Sequence, residues 1–146
     1  MLKKILAASI FLPLLAEVAV ADVRQIDEDA TVKAIGSPVL KKTQEEDTPG
    51  CNTSRYKFGD KTFDMTLQFK CNRINVGWTV ATEPEYEERS KQTSALAQRA
   101  VAVLTGESGI EVERVLAGGK YDGRTFSNGL SVSGSCVMNS CLLTFK

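Results

Sequence analysis

The stretch from Cys51 to Trp78 constrains the fold more than any other part of the chain. Between residues 62 and 71, polar side chains at even positions alternate with apolar side chains at odd positions, namely Phe63, Met65, Leu67, Phe69 and Cys71. A period of two residues is typical of a strand that buries one face and exposes the other. The pattern therefore predicts an amphipathic strand in an antiparallel sheet.

Further strands are predicted on both sides of this one. A two-residue turn at Gly59-Asp60 would place Tyr56 opposite Phe63, and Tyr56 and Phe58 would then both join the apolar face. A three-residue loop would place these aromatics on the polar face, so we favour the two-residue turn. The segment 74–80 supplies a third strand.

The N-terminus has the three parts of a signal peptide. Residues 1–4 form a short basic head, residues 5–16 an apolar core, and residues 19–21 a small-residue cleavage site. The apolar core of about a dozen residues is too short to span a bilayer, which takes about 20. We therefore predict export with cleavage after residue 21, and a periplasmic or secreted product without a membrane span.

The charge balance argues against partners that bind through bulk charge. The chain has 18 basic and 18 acidic residues, and removal of Lys3, Lys4 and Glu17 leaves 16 and 17. Nucleic-acid binding normally requires a strongly basic domain, so we expect no nucleic acid as partner. The length suits a single folded domain.

The segment after the signal peptide is polar, which predicts an arm outside the folded domain. Residues 31–35 are interpreted as a short strand, and residues 41–50 as a solvated linker because they contain no apolar side chain to bury. We therefore divide the chain into a signal peptide (1–21), a flexible arm (22–50) and a single α+β domain (51–146).

One main helix is predicted over about residues 83–105. Thr82 and Glu85 have the spacing of a capping box at its start, and Gly106 is placed to end it. Its apolar stripe, at three- and four-residue spacing, comprises Leu96, Ala97, Ala100, Val101, Val103 and Leu104. Alternation then predicts a strand over 110–116, followed by two C-terminal hairpins. The fold expected is α+β, a small antiparallel sheet of about five to seven strands, with hairpins at both ends of the chain, packed against this helix and stapled by disulfides.

An even number of cysteines in an exported chain predicts two disulfides, and a four-thiolate zinc site would usually show two short cysteine pairs. A two-residue turn would place Cys136 directly opposite Cys141, at a distance that a disulfide can close. By elimination, Cys51 then pairs with Cys71. In the strand register predicted above, however, Cys51 lies opposite Gln68 and has to leave the ladder to reach its partner.

The chain contains no histidine, which removes the commonest general base and the usual ligands of catalytic zinc. We predict neither a metal nor a cofactor, and we do not expect an enzyme. The alternative is a small hydrolase that acts on an envelope polymer through paired carboxylates, for which Glu85, Glu87 and Glu88 are the best acids. Capping of the main helix explains these acids more simply.

The candidate binding residues are the basic side chains of the first hairpin, Arg55, Lys57, Lys70 and Arg73. In the favoured register the first three point to solvent while the aromatics point to the core. Segregated positive charge steers association with acidic partners. We therefore predict a small exported protein-binding module, such as an inhibitor, an immunity-like protein or an accessory subunit of an envelope assembly. Its partner would be another protein or an anionic envelope component.

Overall fold

The computed structural model describes residues 22–146, so the expected signal peptide lies outside the described residues. A short 3-10 turn, Val23–Gln25, precedes three helices, and a second one, Pro84–Tyr86, precedes the longest of them. The helices are α1 (Glu28–Ile35), α2 (Glu87–Thr105) and α3 (Glu111–Gly118). The strands are β1 (Val39–Thr48), β2 (Cys51–Gly59), β3 (Asp64–Phe69), β4 (Ile74–Thr79), β5 (Lys120–Thr125), β6 (Ser131–Val137) and β7 (Ser140–Phe145).

The seven strands form one antiparallel sheet in the order β1-β2-β3-β4-β7-β6-β5, which confirms the predicted α+β class. The two C-terminal hairpins, β5–β6 and β6–β7, are also confirmed. The polypeptide leaves β4, passes through α2 and α3, and returns so that β7 pairs with β4. The core lies between the sheet and the helices. One of its cross-strand rows consists of Phe69, Ile74, Phe145 and Val132, all buried.

The main helix packs through the predicted stripe. Ala97 and Ala100 are fully buried, and their small side chains allow the helix backbone to approach the sheet. Gly106 ends α2 in the left-handed conformation (φ 71°), as predicted. The predicted capping box is wrong: the chain first forms the 3-10 turn that begins at Pro84, and α2 starts without a side-chain cap.

The β2–β3 register differs from the predicted one. The connection is a loop from Asp60 to Phe63, in which the Asp60 N–H donates to the Phe63 carbonyl at 3.0 Å, and Tyr56 lies opposite Leu67. The Asp60 carboxylate stabilises this wider loop because it accepts the Phe63 N–H at 2.7 Å. The register moves by four residues, an even number, so Tyr56 and Phe58 remain on the buried face.

The corrected register also explains the first disulfide. Ser54 lies opposite Phe69, so Cys51, three residues before Ser54, meets Cys71, two residues after Phe69, at the same end of the hairpin, with Cα atoms 5.8 Å apart. Both predicted disulfides are therefore confirmed, because the second joins two cysteines that lie directly opposite each other in the β6–β7 ladder.

The strand predicted for residues 31–35 is instead part of α1. Asp27 caps this helix, since its carboxylate accepts the Ala30 N–H at 2.8 Å. Thr31 and Ile35, four residues apart, bury one helical face. The alternation of side chains over residues 31–35 is short. The N-cap at Asp27 and the acidic residues Glu28 and Asp29 in the first turn favour a helix more strongly.

Residues 41–50, interpreted as a linker, contain most of β1 and the turn that follows it. The strand pairs with β2 in unbroken register from Lys41 to Glu46. Its side chains are almost all exposed, as expected from their polarity. Backbone hydrogen bonding to β2 and not burial of side chains therefore places this segment in the sheet.

The strand predicted over 110–116 is also wrong, because this segment forms α3. Val112 and Val115 are buried and lie three residues apart, a helical spacing that the first alternating residues concealed. Gly119 ends the helix with φ 67°.

Candidate binding face

The helices pack on one side of the sheet, and the other side, which we call the open face, bears polar side chains. The register aligns these side chains in rows that cross the sheet. One row consists of Thr43, Arg55, Gln68, Asn75, Thr144 and Ser133. The open face is therefore a continuous array of hydroxyl, amide and basic groups.

Hydrogen bonds hold several of these groups in place. The Thr144 hydroxyl donates to Asn75 Oδ1 at 3.0 Å. In the amide orientation that satisfies both partners, the Gln68 oxygen accepts from Arg55 Nε at 2.7 Å. A bonded network of this kind fixes side-chain orientation before any partner arrives.

A shallow depression of about 420 Å³ lies near the middle of the open face. Its floor is at Gly77, which has no side chain and lies between Thr66 and Leu142 in register. A Cβ atom placed at Gly77 would approach no heavy atom closer than 3.7 Å, so the glycine creates space and is not required sterically. The full lining is Lys41, Thr43, Arg55, Lys57, Asp64, Thr66, Gln68, Asn75, Gly77 and Leu142.

The depression carries more positive than negative charge, since Lys41, Arg55 and Lys57 line it with a single acid, Asp64. Lys57 Nζ lies 3.3 Å from Asp64 Oδ2. Arg55 reaches an acid, Glu45, only at 3.9 Å, and Lys41 forms no ion pair within residues 22–146. The excess positive potential favours an anionic group at this position.

The four basic residues singled out from the sequence separate into two pairs. Arg55 and Lys57 line the depression, whereas Lys70 and Arg73 lie at the β3–β4 turn. Lys70 Nζ is 2.7 Å from Asp47 Oδ2, and this hydrogen bond is the main reason that the pKa of Asp47 is below its ordinary value. Lys70 therefore ties the β1–β2 hairpin to the end of β3.

The sequence interpretation missed Lys41 and Gly77. Lys41 belongs to the segment taken for a linker, and only its pairing with β2 brings it beside Lys57. Gly77 did leave a signal, because a glycine inside a strand often marks the close approach of a ligand or of another backbone.

The acids proposed for a hydrolase do not form a catalytic pair. Glu85 and Glu88 are exposed, and Glu87 bonds to Lys91 at 2.8 Å, which lowers the pKa of Glu87. Every carboxyl pKa that is clearly displaced within residues 22–146 is lowered, at Asp22, Asp47, Asp60 and Glu87. A carboxyl group that acts as a general acid requires a raised pKa. In this part of the chain, no three potential ligands cluster as a metal site would require.

A second concavity of about 660 Å³ lies among α2, α3 and the β6–β7 turn. Apolar side chains contribute to it, including Leu116, which is 39% exposed, and Met138, which is 93% exposed at the tip of the turn. It has no concentration of basic groups comparable with that of the open face, since Lys91 is its one cation within the described residues and is bonded to Glu87.

No helix of the described segment is long and apolar enough to cross a bilayer. Comparison of the chain with protein-family models, with curated proteins and with solved structures finds no match.

Proposed function

We propose that this protein is an exported binding module whose open face captures an acidic partner protein outside the cytoplasm. The observation that carries the proposal is the depression at Gly77, where Lys41, Arg55 and Lys57 outnumber Asp64. A preformed array of hydrogen-bonding groups with an excess of positive charge supplies orientation and attraction together.

The proposed location is the periplasm or the exterior of the cell. Two disulfides and no free cysteine in the described chain are compatible with an oxidising compartment. The signal-peptide pattern of residues 1–21 supports the same location. An inhibitor, an immunity-like protein or an envelope-assembly subunit would each fit this description.

The carboxylate-dependent hydrolase is the less favoured alternative. Glu85 and Glu88 are exposed, and Glu87, which lines the second concavity, is bonded to Lys91, which lowers its pKa, whereas such chemistry uses an acid with a raised pKa. An anionic envelope polymer is an alternative ligand for the same open face, because it would meet the same cations.

Affinity capture from an envelope extract tests the proposal. The double variant Arg55→Glu/Lys57→Glu reverses two charges of the depression, so it should lose an acidic protein that the unchanged chain retains. The retained protein should also elute as salt is raised. Retention of a polymer with no protein would instead assign the open face to an envelope component.

A matched control separates local from overall charge. Lys33→Glu/Arg99→Glu makes the same change in net charge at exposed positions on α1 and α2. This control should retain the partner. Equal capture by both double variants would contradict a role for the open face.

A further inference from the structure

Strand β1 ends the sheet with an exposed edge. It spans ten residues, its register with β2 is regular from Lys41 to Glu46, and among residues 22–146 no second strand pairs with its outer side. Such an edge presents a row of backbone donors and acceptors to any strand that can align with it.

The hydrogen-bond pattern shows which backbone groups point outward. The Asp60 N–H donates to the Phe63 carbonyl, in register with the β2–β3 ladder. Backbone hydrogen bonding alternates from residue to residue along an antiparallel strand. Even-numbered residues of β2 therefore bond to β3, and odd-numbered residues of β2 bond to β1. The β1 partners of those odd residues are odd as well. The backbone groups of Lys42, Gln44 and Glu46 therefore point away from the sheet.

The charges along this edge are ordered by sign. Two lysines, Lys41 and Lys42, precede Thr43-Gln44, and three acids, Glu45, Glu46 and Asp47, follow it. In an antiparallel arrangement, the basic half of such a strand lies opposite the acidic half of an identical strand. The edge is thus complementary to itself.

We propose that β1 pairs with β1 of a second copy of this chain about a two-fold axis at Gln44. Gln44 then faces Gln44 of the second copy, and Lys42 faces Glu46 twice. Both kinds of pair join residues whose backbone groups point outward, so about six backbone hydrogen bonds form between the copies. The two seven-stranded sheets become one continuous sheet, as an isologous interface requires.

Neighbouring registers are poorer. Only even-numbered residues of β1 point their backbone groups outward, so one strand can slide along the other only by two residues at a time. Each such shift moves the two-fold axis by one residue. An axis at Glu45 places the two Glu45 side chains opposite each other, which is destabilising. An axis at Thr43 keeps Lys41 opposite Glu45, but it places Glu46 opposite Leu40 and Lys42 opposite Gln44, which removes both the Lys42–Glu46 and the Lys41–Asp47 pairs.

The charged groups that carry the pairing are accessible. Lys42 and Glu46 are both exposed. Lys42 Nζ lies 5.0 Å from the Tyr56 ring centre, and the Glu46 carboxylate accepts the Gly50 N–H at 2.8 Å. Asp47, by contrast, is already bonded to Lys70, so its pairing with Lys41 of the second copy contributes less. With 16 basic and 17 acidic residues beyond residue 21, two copies have almost no net repulsion.

Charged residues on an edge strand usually prevent pairing with other chains. An edge strand with charges of one sign repels a second copy. An edge strand whose positive and negative residues are interspersed offers a second copy no preferred register. The separation of lysines from acids in β1 has the opposite effect, and it does so most strongly with the axis at Gln44, where both lysines face acids.

Cysteine cross-linking at the two-fold axis is the first test. Gln44→Cys introduces the one free thiol of the described chain, and two such residues facing each other would have Cα atoms about 5.5 Å apart, within the range for a disulfide. Mild oxidation should therefore link two copies. Lys42→Cys is the matched control, because its copies would lie about 14 Å apart and should not link. Equal cross-linking of the two variants would overturn the proposed register.

Charge exchange is the second test, read by sedimentation across a concentration series. Lys42→Glu and Glu46→Lys should each raise the dimer dissociation constant about tenfold, because each turns two opposite-charge pairs into like-charge pairs. The double variant Lys42→Glu/Glu46→Lys should restore association. A chain that stays monomeric throughout the series, or single variants that associate as well as the unchanged chain, would overturn the proposal.

Amide hydrogen exchange supplies a readout that is specific to the strand. Protection of the Lys42, Gln44 and Glu46 amides should rise with protein concentration, while the Thr43 and Glu45 amides, already bonded to β2, should change little. A concentration-dependent rise confined to other elements would assign dimerisation to another surface and contradict this one.

Discussion

The two edges of the sheet are built in opposite ways. β5, at one edge, has six residues, its ladder with β6 is interrupted between Tyr121 and Arg124, and Gly123 there has φ 80°. Helix α3 packs beside it. β1, at the other edge, has ten residues, a regular central register and exposed side chains. A bulge and a helix thus close one edge against further pairing, whereas the other edge stays open and carries its lysines and its acids in separate halves.

The edges also differ in what holds them. Near β5, Arg124 bonds the buried carboxylate of Glu111 at 2.6 Å and the partly exposed one of Glu107 at 2.5 Å. Near β1, the attachments are backbone hydrogen bonds, the Cys51–Cys71 disulfide and surface ion pairs. The β5 edge should therefore be sensitive to loss of a buried charge partner, and the β1 edge to reduction and to acid.

The largest effect is expected when the β5 edge loses Arg124. Arg124→Ala leaves the fully buried Glu111 carboxylate without its cation, which should lower the free energy of unfolding by about 3 to 5 kcal/mol. Urea unfolding measures the change. The control Glu107→Gln removes only the partly exposed partner and should cost less than about 1 kcal/mol. Similar losses for the two variants would show that burial of Glu111 does not decide the stability of this edge.

Loss of the first disulfide should weaken the β1 side next. The double variant Cys51→Ala/Cys71→Ala opens a loop with a sequence separation of 20, for which chain entropy predicts a loss of about 3 kcal/mol. The matched variant Cys136→Ala/Cys141→Ala opens a separation of 5 and should lose about 2 kcal/mol. Thermal unfolding ranks the two, and the reverse order would contradict the entropic argument.

A glycine in the strand beside β5 should tolerate no side chain. A Cβ atom at Gly134 would lie 2.1 Å from the Leu142 carbonyl oxygen, so Gly134→Ala should destabilise the fold by about 2 kcal/mol through forced backbone movement. Gly77→Ala is the control, since its nearest contact would be 3.7 Å and the fold should be retained. Unfolding midpoints compare the two, and equal midpoints would contradict the steric reading.

The smallest effect is expected from acid, at Asp60 in the β2–β3 loop. The Phe63 N–H, Arg89 and the Thr62 N–H lower the pKa of Asp60 from 3.8 to about 2. Because the folded-state pKa is lowered, the stabilisation is complete above the ordinary pKa and is lost as the pH falls towards 2. The difference in Tm between the unchanged chain and Asp60→Asn should therefore be present at pH 5 and shrink as the pH falls through this window. A difference that is independent of pH would contradict this assignment.

The sequence predicted those elements whose burial leaves a clear period. The alternation from Phe63 to Cys71 spans β3, and α2 carries a helical stripe, so both were identified. Strand β1 was missed because no apolar side chain marks it; its position depends on backbone bonds to β2, which no side-chain pattern records. Helix α3 was missed because apolar and acidic residues alternate like a strand from Ile110 to Glu113, before the helical spacing of Val115 becomes visible.

Two of the basic residues of the candidate site could be predicted from the same kind of pattern. Arg55 and Lys57 follow from the alternation of the first hairpin, and their side of the sheet was predicted correctly even though the register moved by four residues. Lys41 requires knowledge of β1, and the depression at Gly77 requires the strand order that brings β7 beside β4. Long-range pairing of this kind depends on the whole chain and not on any local pattern.

The exposure of β1 separates the side chains of the proposed pairing from those that keep the protein folded. Because its side chains contribute almost nothing to the core, they can be exchanged while the backbone ladder to β2 remains. Lineages of this chain could therefore change the order of charges along one edge, and with it the choice of partner, without disturbing the packing between sheet and helices.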